Sequence, residues 1–120
     1  MTNKTKSEER IARMTLSTIY PLYVNKVLKK GAKIEDLDYI IEWLTSLNKS
    51  QVEKAISEEK TLEEFFESAN INEKANLING SICGYKIADI QNPLTKKIRM
   101  LDKIVDELAN GKPLSKICRT

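Results

Sequence analysis

At 120 residues, with 41% hydrophobic and 31% charged side chains, the chain has the mixture of one folded domain, which excludes the apolar-poor class of disordered sequences. Histidine is absent, which removes the commonest general base and the imidazole ligand of most catalytic zinc sites. The formal charge of +3 is unevenly spread: residues 1–33 carry 8 basic and 2 acidic groups, 34–79 carry 4 and 11, and 80–120 carry 8 and 4, so basic ends flank an acidic middle.

In chain order, residues 1–9 read as a flexible N-terminal arm, with residues 10–120 as the single helical domain. The arm is polar and lacks the apolar core of a signal peptide, so a cytoplasmic location without membrane insertion is expected. Ile11 and Met14 fit a short helical turn. The first long helix is predicted from Thr18 as N-cap, which puts Pro21 at the third helical position, where no intrahelical donor is needed. Tyr20, Tyr23, Val24, Val27 and Leu28 make its apolar stripe. Lys26, Lys29, Lys30 and Lys33 recur on the other side, and Gly31 supplies the stop.

A second helix is predicted over Ile34 to Leu47. Glu35 and Asp36 stand in its first turn, where the macrodipole favours carboxylates, and Leu37, Ile40, Ile41, Leu44 and Leu47 form the buried face with Trp43 at its margin. Two capping boxes, Ser50 with Glu53 and Thr61 with Glu64, mark two short helices. Beyond them a helix is expected to about Asn79, then a turn at Gly80, and a short helix over Lys86 to Ile90. Strand is expected for no more than two or three residues near Ile82 to Tyr85. Asn92 caps the last long helix with Pro93 at its first position, and Leu94, Ile98, Leu101, Val105 and Leu108 recur in steps of four, three, four and three. Gly111 ends it, and Pro113 opens a final turn that returns Leu114, Ile117 and Cys118 to the core. The fold class that follows is all-α, a single compact orthogonal bundle of five to seven short helices.

Chemistry is sparse in this pattern. Gly80 and Gly84 are not followed by the Lys-Ser or Lys-Thr pair of a phosphate loop. The adjacent carboxylates Glu58 and Glu59, Glu63 and Glu64, and Asp106 and Glu107 point in different directions from a helix and read as solvent-facing. Hence no catalytic residue, metal ligand or cofactor is assigned, and the enzyme reading leans to no. Cys83, before Gly84, reads as a packed thiol with reactivity as its alternative. Two surfaces are singled out. Lys26, Lys29, Lys30 and Lys33 form a candidate anion or nucleic-acid surface, which Lys96, Lys97, Arg99 and Lys103 extend if the two long helices lie together. The break around Ile78 to Ile90 also loosely matches a helix-turn-helix, with little beyond Lys86 to read bases. Tyr20, Tyr23, Trp43, Tyr85 and Arg99 form a candidate pocket, against the simpler reading that they are core. The functional expectation is an interaction or ligand-binding module for a protein or small ligand, with phosphate-backbone binding as the alternative and the oligomeric state open.

Tyr20-Pro21-Leu22-Tyr23, Trp43-Leu44-Thr45, Cys83-Gly84, Asn92-Pro93-Leu94, the run Ile98 to Lys103, Asp106-Glu107-Leu108 and Gly111-Lys112 together resemble the bacterial family of domain of unknown function 2200. The resemblance spans about residues 10 to 119. It implies a small helical domain of orthogonal-bundle type and carries over no activity and no catalytic residue. The family pattern opens the helix before Ala75 with an Asn-Pro pair, and the chain departs from it there with Asn72-Glu73.

Overall fold

The computed structural model describes residues 6–82 and 84–120, so residues 1–5 of the expected arm, and Cys83, lie outside the described residues. Seven α-helices are found among the described residues: α1 (Lys6–Arg13), α2 (Leu16–Lys29), α3 (Ile34–Thr45), α4 (Lys49–Ser57), α5 (Leu62–Ser68), α6 (Pro93–Ala109) and α7 (Leu114–Ile117). Helix thus begins at Lys6, inside the span read as an arm. Of the described residues 69% are helical, the 3-10 turns included, and the fold is an all-α bundle with one small two-stranded sheet. Its radius of gyration is 13.6 Å, matching the roughly 13.6 Å expected of a compact domain this long.

α2 starts three residues earlier than the Thr18 cap predicts. Its N-cap is Thr15, whose extended backbone also lets it pair with Thr61, the N-cap of α5, as an antiparallel bridge. Leu16 N donates to Lys60 O at 2.9 Å and Leu62 N to Met14 O at 2.7 Å, so two helix starts are tied together by their own orphan donors. The shift places Pro21 inside α2, at its sixth position, where it removes one intrahelical bond. Gly31, at φ +86°, closes α2: Gly31 N donates to Leu28 O and Ala32 N to Val27 O, the paired bonds of a Schellman ending. The chain then reverses directly into α3. α3 ends at Thr45, with Ser46 left-handed at φ 61°, rather than at Leu47.

The cap of α4 also differs from expectation. Asn48, not Ser50, accepts from Gln51 N, and the Gln51 side chain accepts from Asn48 N. The amide-bearing pair forms the same reciprocal box as Ser with Glu, two residues earlier. The Thr61–Glu64 box of α5 forms as predicted.

Between α5 and α6 the chain is tighter than the predicted helices. Glu73–Leu77 and Ile87–Asp89 are single 3-10 turns on either side of a hairpin, β1 (Ser81–Ile82) and β2 (Tyr85–Lys86), paired Ser81 to Lys86 and Ile82 to Tyr85. Gly84, immediately before β2, takes φ +83°, a conformation costly for other residues. Two glycines and Asn79 within six residues give a helix too little uninterrupted length to nucleate. The helix-turn-helix reading is corrected accordingly, since no recognition helix exists here.

α6 is the central element. Asn92 accepts from Thr95 N at 2.9 Å and Pro93 stands at the first position, as predicted. The predicted stripe residues Ile98, Leu101, Val105 and Leu108 are buried, and Met100, Ile104, Glu107 and Ala109 are buried as well. The burial wraps most of the helix because α2 and α3 cover one side while α1, α5, α7 and β1 cover others. Val27, Leu37, Ile40, Leu44, Ile104 and Val105 meet in the fully enclosed centre.

Candidate functional site

α2 carries Tyr23 and Lys26 three residues apart, and α6 carries Asp102 and Asp106 four apart, each about one turn. The Tyr23 hydroxyl donates to Asp102 Oδ1, and Lys26 Nζ lies 3.1 Å from Asp106 Oδ1. Both contacts advance in the same chain direction, so α2 and α6 run side by side in parallel. One turn before Asp102, Arg99 donates from Nη1 to its second oxygen, Oδ2, at 3.1 Å. The same guanidinium lies 5.4 Å from the centroid of the Tyr85 ring, within cation–π range. Tyr23, Asp102, Arg99 and Tyr85 therefore form one continuous chain of contacts from the α2–α6 seam to the exposed hairpin.

Three of the five candidate pocket residues, Tyr23, Arg99 and Tyr85, are thus brought together, and the other two are not. Tyr20 lies one turn earlier on α2 and faces α3, where its hydroxyl donates to Asp38 Oδ1. Burial first, then the hydrogen bond to Asp38 and the charges of Asp38 and Glu53, push the Tyr20 phenol well above its ordinary pKa. Trp43 is half-buried against the core near the end of α3, and its carbonyl accepts from Asn72 Nδ2. Among the described residues it makes no hydrogen bond to Arg99. The aromatic residues split because they stand on three elements, α2, α3 and the β-hairpin. Tyr20 and Tyr23, three residues apart on α2, are also offset by about 60° around its axis, so that one reaches Asp38 of α3 and the other Asp102 of α6.

The lysine face divides as well. Lys26 is held by Asp106, whereas Lys29, Lys30 and Lys33 are exposed around the α2–α3 turn. α6 does lie along α2, but its basic residues do not extend this patch. Parallel packing sets Lys96 and Lys97 roughly 20 Å along the axis from Lys30, at about 1.5 Å per residue. Lys103 turns to the hairpin, where Nζ donates to Ser81 O at 3.2 Å. Leu28 and Ile34, 49% and 37% exposed, stand among Lys29, Lys30 and Lys33 at the α2–α3 turn.

Asp38 and Asp102 are the partners that the sequence reading missed, and Glu107 was misplaced. Read as solvent-facing beside Asp106, Glu107 is 7% exposed. It follows Ile104 by three and Leu101 by six residues, the spacing of the buried stripe, which is the signal that locates it. Arg119 holds it through two hydrogen bonds and Lys112 through one. Burial raises the Glu107 pKa, but the hydrogen bonds and charges of Arg119 and then Lys112 outweigh it and leave the carboxyl below the usual range. Cys118 is a buried free thiol, pushed up by burial against a smaller opposing effect of Arg119. Cys83, the candidate reactive thiol, lies outside the described residues. Among the described residues no three His, Cys, Asp or Glu side chains cluster so as to hold a metal ion, and no helix is long and apolar enough to cross a membrane.

None of the curated proteins matches the chain. It is similar to a solved structure, described as the crystal structure of uncharacterized protein SP1917, at 33% identity and a TM-score of 0.86, over 96% of this chain and 93% of that one. The family model described as "Uncharacterized protein conserved in bacteria (DUF2200)" matches residues 10–119, and the chain belongs to that family.

Proposed function

We propose that this protein is a non-catalytic interaction module whose contact surface is the tip of the α2–α3 hairpin. One observation carries the reading: Leu28 and Ile34 stand exposed on either side of a turn whose other projecting side chains are Lys29, Lys30 and Lys33. Apolar side chains ringed by ammonium groups fit a partner protein with an apolar centre and an acidic rim. The polar ends of Tyr20, Tyr23 and Arg99 are engaged by Asp38 and Asp102 within the fold, an arrangement that supports structural rather than catalytic roles for them. A cytoplasmic setting goes with this reading, supported by the free, buried thiol of Cys118.

Phosphate-backbone binding is the second reading, favoured by the three adjacent lysines. Chemical cross-linking from Lys29, Lys30 and Lys33 in the native host separates the two. A defined protein cross-linked to the tip, and lost in a Leu28→Ser, Ile34→Ser variant, supports the first. Binding to single- or double-stranded nucleic acid that falls steeply with salt, survives that variant and disappears in Lys29→Glu, Lys30→Glu, Lys33→Glu supports the second. Turnover of any compound after incubation with metabolite and nucleotide pools, read by mass spectrometry, would overturn the non-catalytic reading.

A further inference from the structure

A small cleft opens where α2, α3 and α4 meet, with a volume of about 100 Å³. Its floor is aliphatic: Ile41 from α3, with Val52 and Ile56 from α4. Ile41 and Val52 are buried, and Ile56 packs half-buried against them. One wall is the ring of Tyr20. Asp38, Glu53 and Lys49 complete the lining, so two carboxylates and one ammonium border an apolar depression.

The rim is only partly satisfied from within. Tyr20 donates to Oδ1 of Asp38, and Oδ2 of Asp38 takes no hydrogen bond among the described residues. Lys49 and Glu53 lie one turn apart on α4, a spacing that permits an ion pair, yet none forms between them within 4.0 Å. The free acceptor on Asp38 and the carboxylate of Glu53 therefore line one cavity whose buried lining residues, Ile41 and Val52, are apolar. Such carboxylates attract a cation, and such a floor takes a hydrocarbon group.

Size narrows the class further. A cavity of roughly 150 Å³ lined by aliphatic side chains accommodates benzene, so this smaller one suits a branched group of about four or five carbons rather than an aromatic ring. We infer that the cleft between α2, α3 and α4 binds a small aliphatic primary ammonium compound, its hydrocarbon branch on Ile41, Val52 and Ile56 and its ammonium on Asp38 and Glu53. Two sources share that chemistry. A free alkylamine uses the carboxylates alone, whereas an aliphatic α-amino acid also sets its carboxylate on Lys49. The cleft lies on different residues from the hairpin tip, so this inference stands apart from the interaction surface.

The test is a titration of the intact protein with isoamylamine, leucine and isovalerate, followed through the methyl NMR signals of Ile41, Val52 and Ile56. The expected result is a saturable shift of these methyls with isoamylamine, leucine or both, and none with isovalerate. Asp38→Asn keeps an acceptor for the Tyr20 hydroxyl while removing the charge, and is expected to weaken binding about tenfold or more, the loss of one charge-assisted hydrogen bond. Glu53→Gln, on the exposed face of α4, weakens it less. Ile56→Phe fills the cavity and removes binding with every rim charge intact. Leucine binding that weakens in Lys49→Ala, with the amine unaffected, identifies the amino acid as the source; binding of isoamylamine without leucine identifies the amine. The inference is overturned if neither ammonium compound shifts these methyls, if isovalerate binds as tightly as isoamylamine, or if Asp38→Asn and Glu53→Gln both bind like the parent.

Discussion

Arg119 grips Glu107 end-on, with Nη1 2.7 Å from Oε1 and Nη2 2.9 Å from Oε2. The guanidinium also donates from Nη1 to Ile117 O at 2.8 Å, so one side chain fastens the last residues of the chain to the central helix. α6 ends in a Schellman turn, Gly111 N donating to Leu108 O and Lys112 N to Glu107 O, and the Lys112 side chain adds a third contact to the same carboxylate at 3.2 Å. Where that turn commonly carries an apolar contact between these two positions, this chain carries an ion pair.

Removing one member of this group leaves charge in a buried setting, and the two members are not equivalent. Arg119→Ala strands the Glu107 carboxylate with only Lys112 and is expected to cost about 2–3 kcal/mol. Glu107→Ala leaves Arg119 its hydrogen bond to Ile117 O and should cost less. The double replacement Glu107→Leu, Arg119→Leu should recover part of the loss, because no charge then remains unpaired. Urea midpoints at unchanged slope check the order. Equal losses for the two single variants would contradict it.

Acid should weaken the fold through the same carboxylate. The folded-state pKa of Glu107 lies below its ordinary 4.5, so the unfolded chain takes up the proton first as pH falls. Stability from Glu107 is therefore present above about pH 4.5 and is lost as pH falls through the folded value. Denaturation midpoints measured from neutral pH downward should drop more steeply in the parent than in Glu107→Gln. Parallel curves would remove Glu107 from the acid limb.

At the alkaline end, Tyr20 acts in the opposite direction. Its folded pKa is raised above the ordinary 10.0, so the folded state holds the phenolic proton longer than the unfolded chain does. The contribution is present below about pH 10 and is lost as pH rises through the folded value. Tyr20→Phe should flatten the fall in stability above pH 10 and remove the latest component of phenolate absorbance in an ultraviolet titration. An unchanged absorbance profile apart from amplitude would count against the half-buried Tyr20–Asp38 contact.

Two asparagine caps should differ in weight. Asn92 is buried and caps the central helix, whereas Asn48 is exposed and caps the nine-residue α4. Asn92→Ala is expected to cost about 1–2 kcal/mol and Asn48→Ala about 0.5–1 kcal/mol, within the measured range for cap removal. Asn92→Asp, which keeps the acceptor, should retain most of the stability. Thermal midpoints of the three variants supply the comparison.

The repeating apolar positions of α3 and α6, the Thr61–Glu64 box, the Asn92–Pro93 start and the stops at Gly31 and Gly111 were all legible in the sequence, because each depends on residues within one or two turns of one another. The family followed from short local motifs for the same reason. Cap positions moved where a neighbouring segment competed: Thr15 replaces Thr18 because it bridges to Thr61, 46 residues away. Burial of Glu107, the pairing of Tyr23 with Asp102 and of Tyr20 with Asp38, and the separation of Lys96 and Lys97 from Lys30 depend on the parallel docking of α2 on α6 and the reversal into α3. Side-chain spacing along a helix sets which residues share a face; which charge or cleft that face meets is fixed only when distant segments pack, and no local rule carries that information.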